Sequence, residues 1–382
     1  MSILLPASFI LPIYAATCQI SLSRINSKKS SIYRPPPALS YLSVRICIVG
    51  GIFDQPAHYR SKHSISPETV LAAGLCERGW KVTTRGHRES LPAEAFDLVH
   101  VHHFGRAALR MALDRKRAPF VFTTHDPFSM NGLPVGWKRR LTDGLVLSRA
   151  DRVVALSNVE RSFLLERYGL RQHAVAVIPN GIDTRVFDAA KPPEGGEQRL
   201  LFAGQLQKFK GLDYLLEALP AVRAAYPWVK LQVVYQTDAL LTHYREQTAR
   251  LGLDGRVEFA GSKTARELAQ LYSSAAVVVS PSLGECLSTV VLEAMCCGAA
   301  VVATDVGSIR EQLDESTGVI VPPRNSGALA EAICGLLAEA DLRWTMGQAA
   351  RRKARAEFSI RKMIDRHIRL YEDLLGAHDR AA

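Results

Sequence analysis

The sequence predicts an α/β protein composed of two doubly wound, Rossmann-like domains with parallel sheets. Its 382 residues are enough for two packed cores. From Val44 onward, short β-branched runs alternate with longer helical patterns, which is typical of parallel strands joined by crossover helices. A polar segment at 188–198, containing two prolines and two glycines, divides this series into halves and suits a linker.

Six strands are predicted in each half, and helix-start signals between them support the register. Serine caps a helix and proline fits its first position, so Ser66-Pro67 predicts a helix start. Thr264 with Glu267 forms a capping box before an amphipathic run. The predicted strands are 44–49, 81–84, 98–102, 120–124, 152–156 and 175–178, followed by 199–203, 230–235, 256–259, 276–280, 299–304 and 318–321.

Residues 1–43 differ in composition from the rest of the chain, being rich in serine and proline and free of acidic residues. The apolar stretch at 3–20 contains two prolines, and no basic residue precedes it, which is unlike a signal peptide. We interpret 1–43 as a disordered or targeting extension, or as a mis-assigned start. No run of about eighteen apolar residues occurs, so the sequence predicts no membrane span.

Basic residues are concentrated in the first half. Residues 1–190 hold 25 Lys and Arg against 14 Asp and Glu, whereas residues 191–382 hold 23 of each. Such a field attracts phosphates, anionic lipid headgroups or nucleic acid. The densest clusters are at 115–117 and 137–140, and the second leads into an amphipathic segment that could lie on a membrane. Solvated basic faces are the alternative.

The cysteine and acidic patterns favour a protein without disulfides or metals. Seven cysteines are an odd number, and the adjacent pair Cys296 and Cys297 lacks the CxxC spacing of redox and zinc motifs. We therefore expect a reducing compartment. The sequence contains no Asp-x-Asp pair and no HExxH motif, so we expect no bound metal and no cofactor.

The segment 281–295 follows a very apolar predicted strand and reads as strand, loop and helix. Glu293 lies in an apolar helix and needs a partner there, either within the protein or from ribose hydroxyls. Ser288 and Thr289 are placed to open the helix, so their N–H groups and the helix dipole would face an anion such as a diphosphate. Glu285, on the preceding loop, would lie beside that anion.

A second loop, 204–211, follows the first strand of the second half, and its Lys210 could neutralise phosphate from the opposite side. Gly50 and Gly51 end the first strand of the chain, where glycine permits close backbone approach to a ligand. Their spacing is not the GxGxxG of dinucleotide sites, which argues against an oxidoreductase.

Histidines follow two neighbouring predicted strands, at 100–103 and at 125. Ligands bind beyond the carboxyl ends of parallel strands, so His125 is the candidate for a catalytic role. A purely structural histidine is the alternative.

Together these segments resemble the large retaining glycosyltransferase family four, from about Val44 to the C-terminus. Glu285 and Glu293 match that family's signature of Glu, seven residues and Glu. Further similar segments occur in the family's order at 151–157, 178–183, 257–261, 298–307 and Phe358-Ser359.

The resemblance implies the GT-B fold, in which two Rossmann-like domains face a central cleft and a C-terminal helix crosses back. The implied divisions are 44–188 for the acceptor, 189–355 for the nucleotide-sugar donor and 356–382 for the crossing helix. It also implies roles for the candidate residues: His125 near the reacting sugar, Gly51 in the glycine-rich turn, Glu285 against the sugar, Glu293 on the ribose, Lys210 on the phosphates, and the amides of Leu287, Ser288 and Thr289 on the diphosphate.

Two positions depart from the family pattern. Gln205 stands where the family usually has arginine, so one positive charge is missing unless Lys208 or a nearby arginine replaces it. Residues 235–238 replace a glycine-rich turn. Reduced donor affinity or an inactive member are the outcomes that these departures allow.

The implied activity is metal-free transfer of a hexose-type sugar, with retention, to a carbohydrate or lipid-linked acceptor, in polysaccharide or glycolipid biosynthesis. A cytoplasmic enzyme at the inner membrane face, in contact with an anionic surface, fits the basic half. The alternatives are a nucleotide-sugar 2-epimerase and a non-catalytic nucleotide-sugar-binding protein. Nucleic-acid binding has no recognition motif to support it, so no nucleic-acid partner is expected.

Overall fold

The computed structural model describes residues 44–56, 66–92, 95–114, 117–187 and 199–378. Several predictions fall on segments outside the described residues. These are the N-terminal extension at 1–43, the linker at 188–198, and two residues of the basic cluster at 115–117.

The first half of the chain forms a parallel six-stranded sheet in the order β2-β1-β3-β4-β5-β6. Its strands are β1 (Arg45–Val49), β2 (Lys81–Arg85), β3 (Leu98–His102), β4 (Phe120–Thr123), β5 (Arg152–Ala155) and β6 (Val175–Val177). The α-helices in this half of the chain are α1 (Pro67–Glu77), α2 (Arg106–Leu113), α3 (Pro127–Met130), α4 (Trp137–Arg149), α5 (Asn158–Tyr168) and α6 (Thr184–Phe187).

The second half forms another parallel six-stranded sheet, in the order β12-β11-β10-β7-β8-β9. Its strands are β7 (Arg199–Ala203), β8 (Lys230–Val234), β9 (Val257–Gly261), β10 (Ala275–Ser280), β11 (Val301–Thr304) and β12 (Val319–Val321). The α-helices are α7 (Leu212–Ala225), α8 (Leu241–Arg250), α9 (Ala265–Ser274), α10 (Thr289–Cys296), α11 (Ile309–Gln312), α12 (Ser326–Ala338), α13 (Ala340–Glu357) and α14 (Ile360–His378).

The inner strands of both sheets are buried on two faces, which explains why strands such as β1 and β10 are nearly continuous apolar runs. In β1, Cys47 and Val49 join one core cluster, whereas Ile46 and Ile48 join the cluster on the opposite face. Successive strand side chains point to opposite faces, so a strand covered by helices on both sides needs apolar residues throughout. The predicted two-sheet α/β fold is confirmed.

The twelve predicted strands are present, with ends that shift by one or two residues. The clearest shift is at β11, which was predicted from 299 and begins at Val301. Gly298, with φ of +75°, and Ala299 still donate backbone hydrogen bonds to the end of α10. They therefore cap the helix before the strand can begin. Both helix-start predictions are confirmed, since Ser66 and Thr264 cap α1 and α9 through capping boxes.

The last helix, α14, crosses back to the first sheet, as predicted. The crossing begins where Ile182 pairs with Ser359, with Ile182 N–H donating to the Phe358 carbonyl at 2.7 Å. Along α14, Ile364 packs on α1 at Gly74, where a Cβ would lie 2.0 Å from its Cδ1. A larger residue at this position would therefore displace the Ile364 side chain from its place between α1 and α14.

None of the helices in the described part of the chain is both long and apolar enough to cross a bilayer.

Candidate active site

Two loops of the second sheet bring Lys210 and Glu285 together. Strands β7 and β10 are neighbours, and each is followed by a loop at its carboxyl end. Lys210 Nζ lies 2.7 Å from Glu285 Oε1, and the Ser282 hydroxyl donates to the same oxygen at 2.7 Å. The close contact between the two loops requires glycine at position 211. Its φ is +70°, and a Cβ there would lie 1.9 Å from the Pro281 carbonyl oxygen.

The start of α10 lies next to this pair, but one of its amides is engaged within the protein. Ser288 N–H donates to Gln312 Oε1 at 2.9 Å, and Gln312 Nε2 donates back to the Ser288 carbonyl at 2.8 Å. The expectation that the Ser288 amide faces a diphosphate is therefore wrong for this conformation. Thr289 is exposed at the first position of the helix, and Leu287 is buried. Those two residues stay predictions as diphosphate ligands.

Glu293 has a partner that the sequence did not suggest. Tyr272, at the C-terminal part of α9, donates its hydroxyl to Glu293 Oε2 at 2.9 Å. The Glu293 side chain is also partly exposed, rather than buried on all faces as its apolar neighbours suggested. Loss of hydration raises the pKa of its carboxyl to about 7, and the tyrosine hydrogen bond opposes that rise. Glu293 can therefore keep its hydrogen bond with Tyr272 while the exposed part of its carboxyl remains accessible to a ligand.

The loop at 204–211 presents one cation, Lys210, to Glu285. Gln205 is exposed, as is Lys208. Lys208 Nζ donates to Asp213 Oδ1 at 2.8 Å and lies 2.6 Å from His243 Nε2. Lys208 is therefore paired on α7 and α8, and it does not replace the positive charge missing at Gln205.

His125 lies just beyond the carboxyl end of β4 in a conformation that few non-glycine residues adopt. Its φ is +47°, and its Nε2 is 2.9 Å from His102 Nδ1. The ring of His103 lies 4.6 Å away, centroid to centroid. Burial lowers the pKa of His125 to about 3. Its imidazole is therefore neutral near pH 7 and can exchange hydrogen bonds without carrying charge.

Glu68, a residue that the sequence pattern does not single out, supports the histidines from α1. Its side chain is 3% exposed, and His103 Nε2 lies 2.9 Å from its Oε1. The glycine that this approach requires is Gly50, since a Cβ there would lie 2.7 Å from Glu68 Cγ. At Gly51 a Cβ would have no neighbour closer than His87, at 3.8 Å. The sequence signal that could have identified Glu68 is its position in the first turn of the α-helix that follows Gly50 and Gly51.

A second missed carboxyl, Glu160, lies beneath the loop that carries His125. It accepts hydrogen bonds from the Thr124 hydroxyl and, at 2.6 Å, from Leu156 N–H. Burial raises the pKa of Glu160 to about 7. Thr124 is thereby held in place directly before His125.

A cavity of about 610 Å³ opens beside His125 in the first half of the chain. Arg139 of α4 lies in its wall, where its guanidinium is 2.8 Å from Asp126 and 3.4 Å from Asp143. The same guanidinium lies over the ring of Phe128 at 5.6 Å. Other lining residues are His103, Phe104, Arg106, Thr124, Thr142 and Val146.

The two halves meet at this point. The Asn131 side chain donates to the Glu285 carbonyl at 3.0 Å, and Phe128 makes an edge contact with Phe209, with ring centroids 5.2 Å apart. The carboxyl ends of both sheets therefore face one cleft, with His125 on one side and Lys210 with Glu285 on the other.

In the described ranges, no group of three or more His, Cys, Asp or Glu side chains is arranged to hold a metal ion.

Comparison with known proteins decides the family. Residues 54–186 match the family model described as Glycosyltransferase Family 4, and residues 197–339 match the model described as Glycosyl transferases group 1. A D-inositol 3-phosphate glycosyltransferase of Arthrobacter is 31% identical over 283 residues, covering 69% of this chain and 67% of the relative. The chain belongs to glycosyltransferase family 4. The enzyme of the same name from Salinispora arenicola is 29% identical over 320 residues, covering 76% of this family 4 chain and 71% of the relative.

Solved structures show that this family 4 glycosyltransferase has the GT-B fold. Sucrose-phosphate synthase from Thermosynechococcus elongatus superposes with a TM-score of 0.74 at 22% identity, covering 87% of this chain and all of that one. The Anabaena protein HepE, in complex with UDP-glucose, superposes with a TM-score of 0.68 at 20% identity, covering 86% of this chain and 99% of that one.

Proposed function

We propose that this family 4 glycosyltransferase moves a hexose-type sugar, with retention of configuration and without a bound metal, from a nucleoside diphosphate-sugar to a carbohydrate or lipid-linked acceptor. The contact between Lys210 and Glu285 carries the proposal. It sets a cation and a carboxylate on neighbouring loops of the second sheet, at the cleft edge where ligands of doubly wound sheets bind. HepE, which shares the fold, has been solved in complex with UDP-glucose.

In the proposed reaction, the diphosphate of the donor lies beside Lys210 and the exposed start of α10. The bond between the anomeric carbon and the phosphate oxygen breaks, and negative charge grows on that oxygen. Lys210 stabilises this charge more in the transition state than in the ground state. The acceptor hydroxyl attacks from the same face, and its proton passes to the departing phosphate oxygen. Configuration is thereby retained.

The carboxylate and the imidazole have separate roles in this proposal. Glu285 accepts hydrogen bonds from hydroxyls of the transferred sugar, since Ser282 and Lys210 hold its carboxylate at the cleft. His125 contributes a neutral imidazole, because burial lowers its pKa to about 3. It therefore binds a sugar hydroxyl and is not charged during the reaction. Glu293 binds the ribose, using the carboxyl that Tyr272 orients.

The acceptor enters the 610 Å³ cavity beside His125. Arg106 in its lining suits an acceptor with an anionic group, whereas Arg139 is already paired with Asp126 and Asp143. Curated relatives are named for D-inositol 3-phosphate, a phosphorylated polyol. A lipid-linked phosphate acceptor in polysaccharide or glycolipid biosynthesis, at the cytoplasmic face of a membrane, offers the same chemistry.

The test begins with thermal shift of the purified protein against UDP, GDP, ADP and their sugars. The sugar donor that stabilises the protein is then incubated with candidate acceptors in the presence of a chelator, and the product is analysed by proton NMR. We expect a product with the donor's anomeric configuration. An inverted product, or loss of activity on chelation, contradicts the proposal. Donor binding without transfer would indicate the binding-protein alternative, and an epimerised free sugar would indicate the epimerase.

A further inference from the structure

Helix α4 (Trp137–Arg149) has two faces with different chemistry. Trp137 is 68% exposed and Leu141 is 67% exposed, and they lie one turn apart on the same face. Lys138 and Arg140, also exposed, flank them. Lys138 Nζ lies 5.6 Å from the centre of the Trp137 ring, so cation and aromatic ring share this surface. We call Trp137, Lys138, Arg140 and Leu141 the outer face.

The opposite face of α4 lines the cavity beside His125. Arg139 turns inward to Asp126 and Asp143, and Thr142 and Val146 line the same wall. The basic cluster at 137–140 is therefore divided: Lys138 and Arg140 lie on the outer face, and Arg139 lies in the cavity wall. Asp143 is the only acidic residue of α4, and it is buried. The outer face thus presents large apolar side chains and positive charge without a neighbouring carboxylate from its own helix.

We infer that the outer face of α4 is a docking surface for an anionic lipid bilayer, which it places at the mouth of the acceptor cavity. Tryptophan and leucine enter the region between headgroups and acyl chains, while lysine and arginine stay with anionic headgroups. Apolar insertion and electrostatic attraction to anionic lipids together strengthen interfacial binding of this kind.

The charge distribution favours a lipid surface over a second copy of this chain. Residues 1–190 carry the whole positive surplus of the protein, 25 basic against 14 acidic side chains. Two copies meeting through the outer face would bring like charges together. Two large exposed side chains also offer much less apolar area than a stable dimer buries. Electrostatic attraction to anionic lipid adds to apolar burial at the same face.

The arrangement links the lipid surface to the cleft within a single helix. Arg139 and Trp137 are two residues apart, one in the cavity wall and the other on the outer face. An acceptor with a lipid anchor could thus present its headgroup to the cavity while its chains remain in the bilayer. This reading of the cavity rests on the proposed function, whereas the membrane contact itself does not.

The experiment measures flotation of the full chain with vesicles of equimolar phosphatidylglycerol and phosphatidylcholine, and with phosphatidylcholine alone. Three double variants are compared with the wild type. One removes the apolar pair (Trp137→Ser with Leu141→Ser), and one removes the charges (Lys138→Ser with Arg140→Ser). The matched control (Leu342→Ser with Trp344→Ser) changes an apolar pair of α13 that is 41% and 62% exposed.

We expect the wild type and the control to bind anionic vesicles equally. The charge variant should bind them about 30-fold more weakly, from about 1 kcal/mol for each of two charges near the surface. The apolar variant should lose binding to both kinds of vesicle. Circular dichroism melting of each variant tests whether the fold is kept. We expect unchanged melting, because all four outer-face side chains are exposed.

Wild-type binding by the apolar variant, or an equal loss in the α13 control, overturns the inference. So does a concentration-dependent dimer that disappears in the apolar variant while vesicles are not bound, because that result assigns the face to a second copy. Nucleotide-induced thermal stabilisation is measured on the same proteins. If the wild type binds vesicles but responds to no nucleotide sugar, the proposed function fails and the membrane surface stands.

Discussion

The ammonium group of Lys210 lies 2.7 Å from a carboxylate oxygen of Glu285, although 75 residues separate the two in the chain. Neighbouring strands β7 and β10 bring their loops to one edge of the sheet, and the absence of a side chain at Gly211 lets the loops touch. The Lys210 side chain is 20% exposed and that of Glu285 is 9% exposed. Because both charges are largely buried, each is stabilised by the other, and both side chains remain accessible from the cleft.

Replacing Lys210 with alanine should lower turnover more than it weakens donor binding. The charge on the departing phosphate oxygen is greatest in the transition state, and removing one such stabilising group costs about 100-fold or more in kcat. The measurement is kcat and KM with the identified donor, with a chelator present throughout. Lys208→Ala is the control, because Lys208 is on the same loop but is paired with Asp213. Full turnover by Lys210→Ala would rule out the proposed phosphate clamp.

Replacing Gln205 with arginine should tighten nucleoside diphosphate binding. Gln205 is exposed on the loop at 204–211. Lys208 is paired with Asp213, so it does not supply the positive charge that is missing at position 205. A charge-assisted hydrogen bond to phosphate would increase affinity by about tenfold. Isothermal titration calorimetry with the diphosphate measures the change. The control is Gln207→Arg, two positions along the same exposed loop. Equal gains in both variants would indicate general charge attraction rather than a specific contact.

Replacing Glu293 with glutamine should weaken nucleotide binding and make stability less dependent on pH. The carboxyl of Glu293 has a pKa raised to about 7, so the folded protein binds its proton more tightly than the unfolded chain does. Its stabilising contribution is complete below the ordinary pKa of glutamate and is lost as the pH rises through about 7. Glutamine imitates the protonated carboxyl, so the variant should melt at a higher temperature than the wild type at pH 8 and at a similar temperature at pH 4.

Nucleotide-induced stabilisation in the same variant should fall by about 1–3 kcal/mol, the scale of a hydrogen bond to a charged group. Thermal unfolding with and without the nucleotide measures both effects. Glu217→Gln is the control, since Glu217 is exposed on α7. An unchanged response to the nucleotide would remove Glu293 from the donor site and leave it as a partner of Tyr272 alone.

Local pattern was enough to predict the parallel strands and to place Lys210 and Glu285 around one anion, whereas their direct contact follows from the adjacency of β7 and β10 in the sheet. It could not predict partners contributed by distant segments. The bond from Tyr272 to Glu293 and the bonds between Gln312 and Ser288 depend on how helices pack over the sheet. The same limit applies to the basic cluster on α4, which reads as a single surface in the sequence, since only packing turns Arg139 toward Asp126.

Glu68 of α1 holds His103 against His125. Burial is the largest single influence and works against ionisation of this carboxyl, but the hydrogen bond with His103 and the electrostatic influence of the neighbouring histidines together outweigh it and keep the pKa of Glu68 well below its ordinary value. A lowered pKa stabilises the folded protein above the ordinary pKa of glutamate, and that contribution is lost as the pH falls below it. Glu68→Gln should therefore melt below the wild type near pH 7, and the difference should shrink below about pH 4.

Turnover should respond as well, because His103 and His125 both have positive φ and depend on their surroundings to keep that conformation. Loss of the carboxylate loosens His103, and the adjacent imidazole of His125 then samples orientations that do not reach the sugar. Glu68→Gln should thus lower kcat with little change in donor affinity. Glu77→Gln, at the exposed end of the same helix, is the matched control for helix stability. Parallel melting curves for the wild type and Glu68→Gln from pH 3 to 7, together with unchanged kcat, would show that Glu68 does not position the histidines.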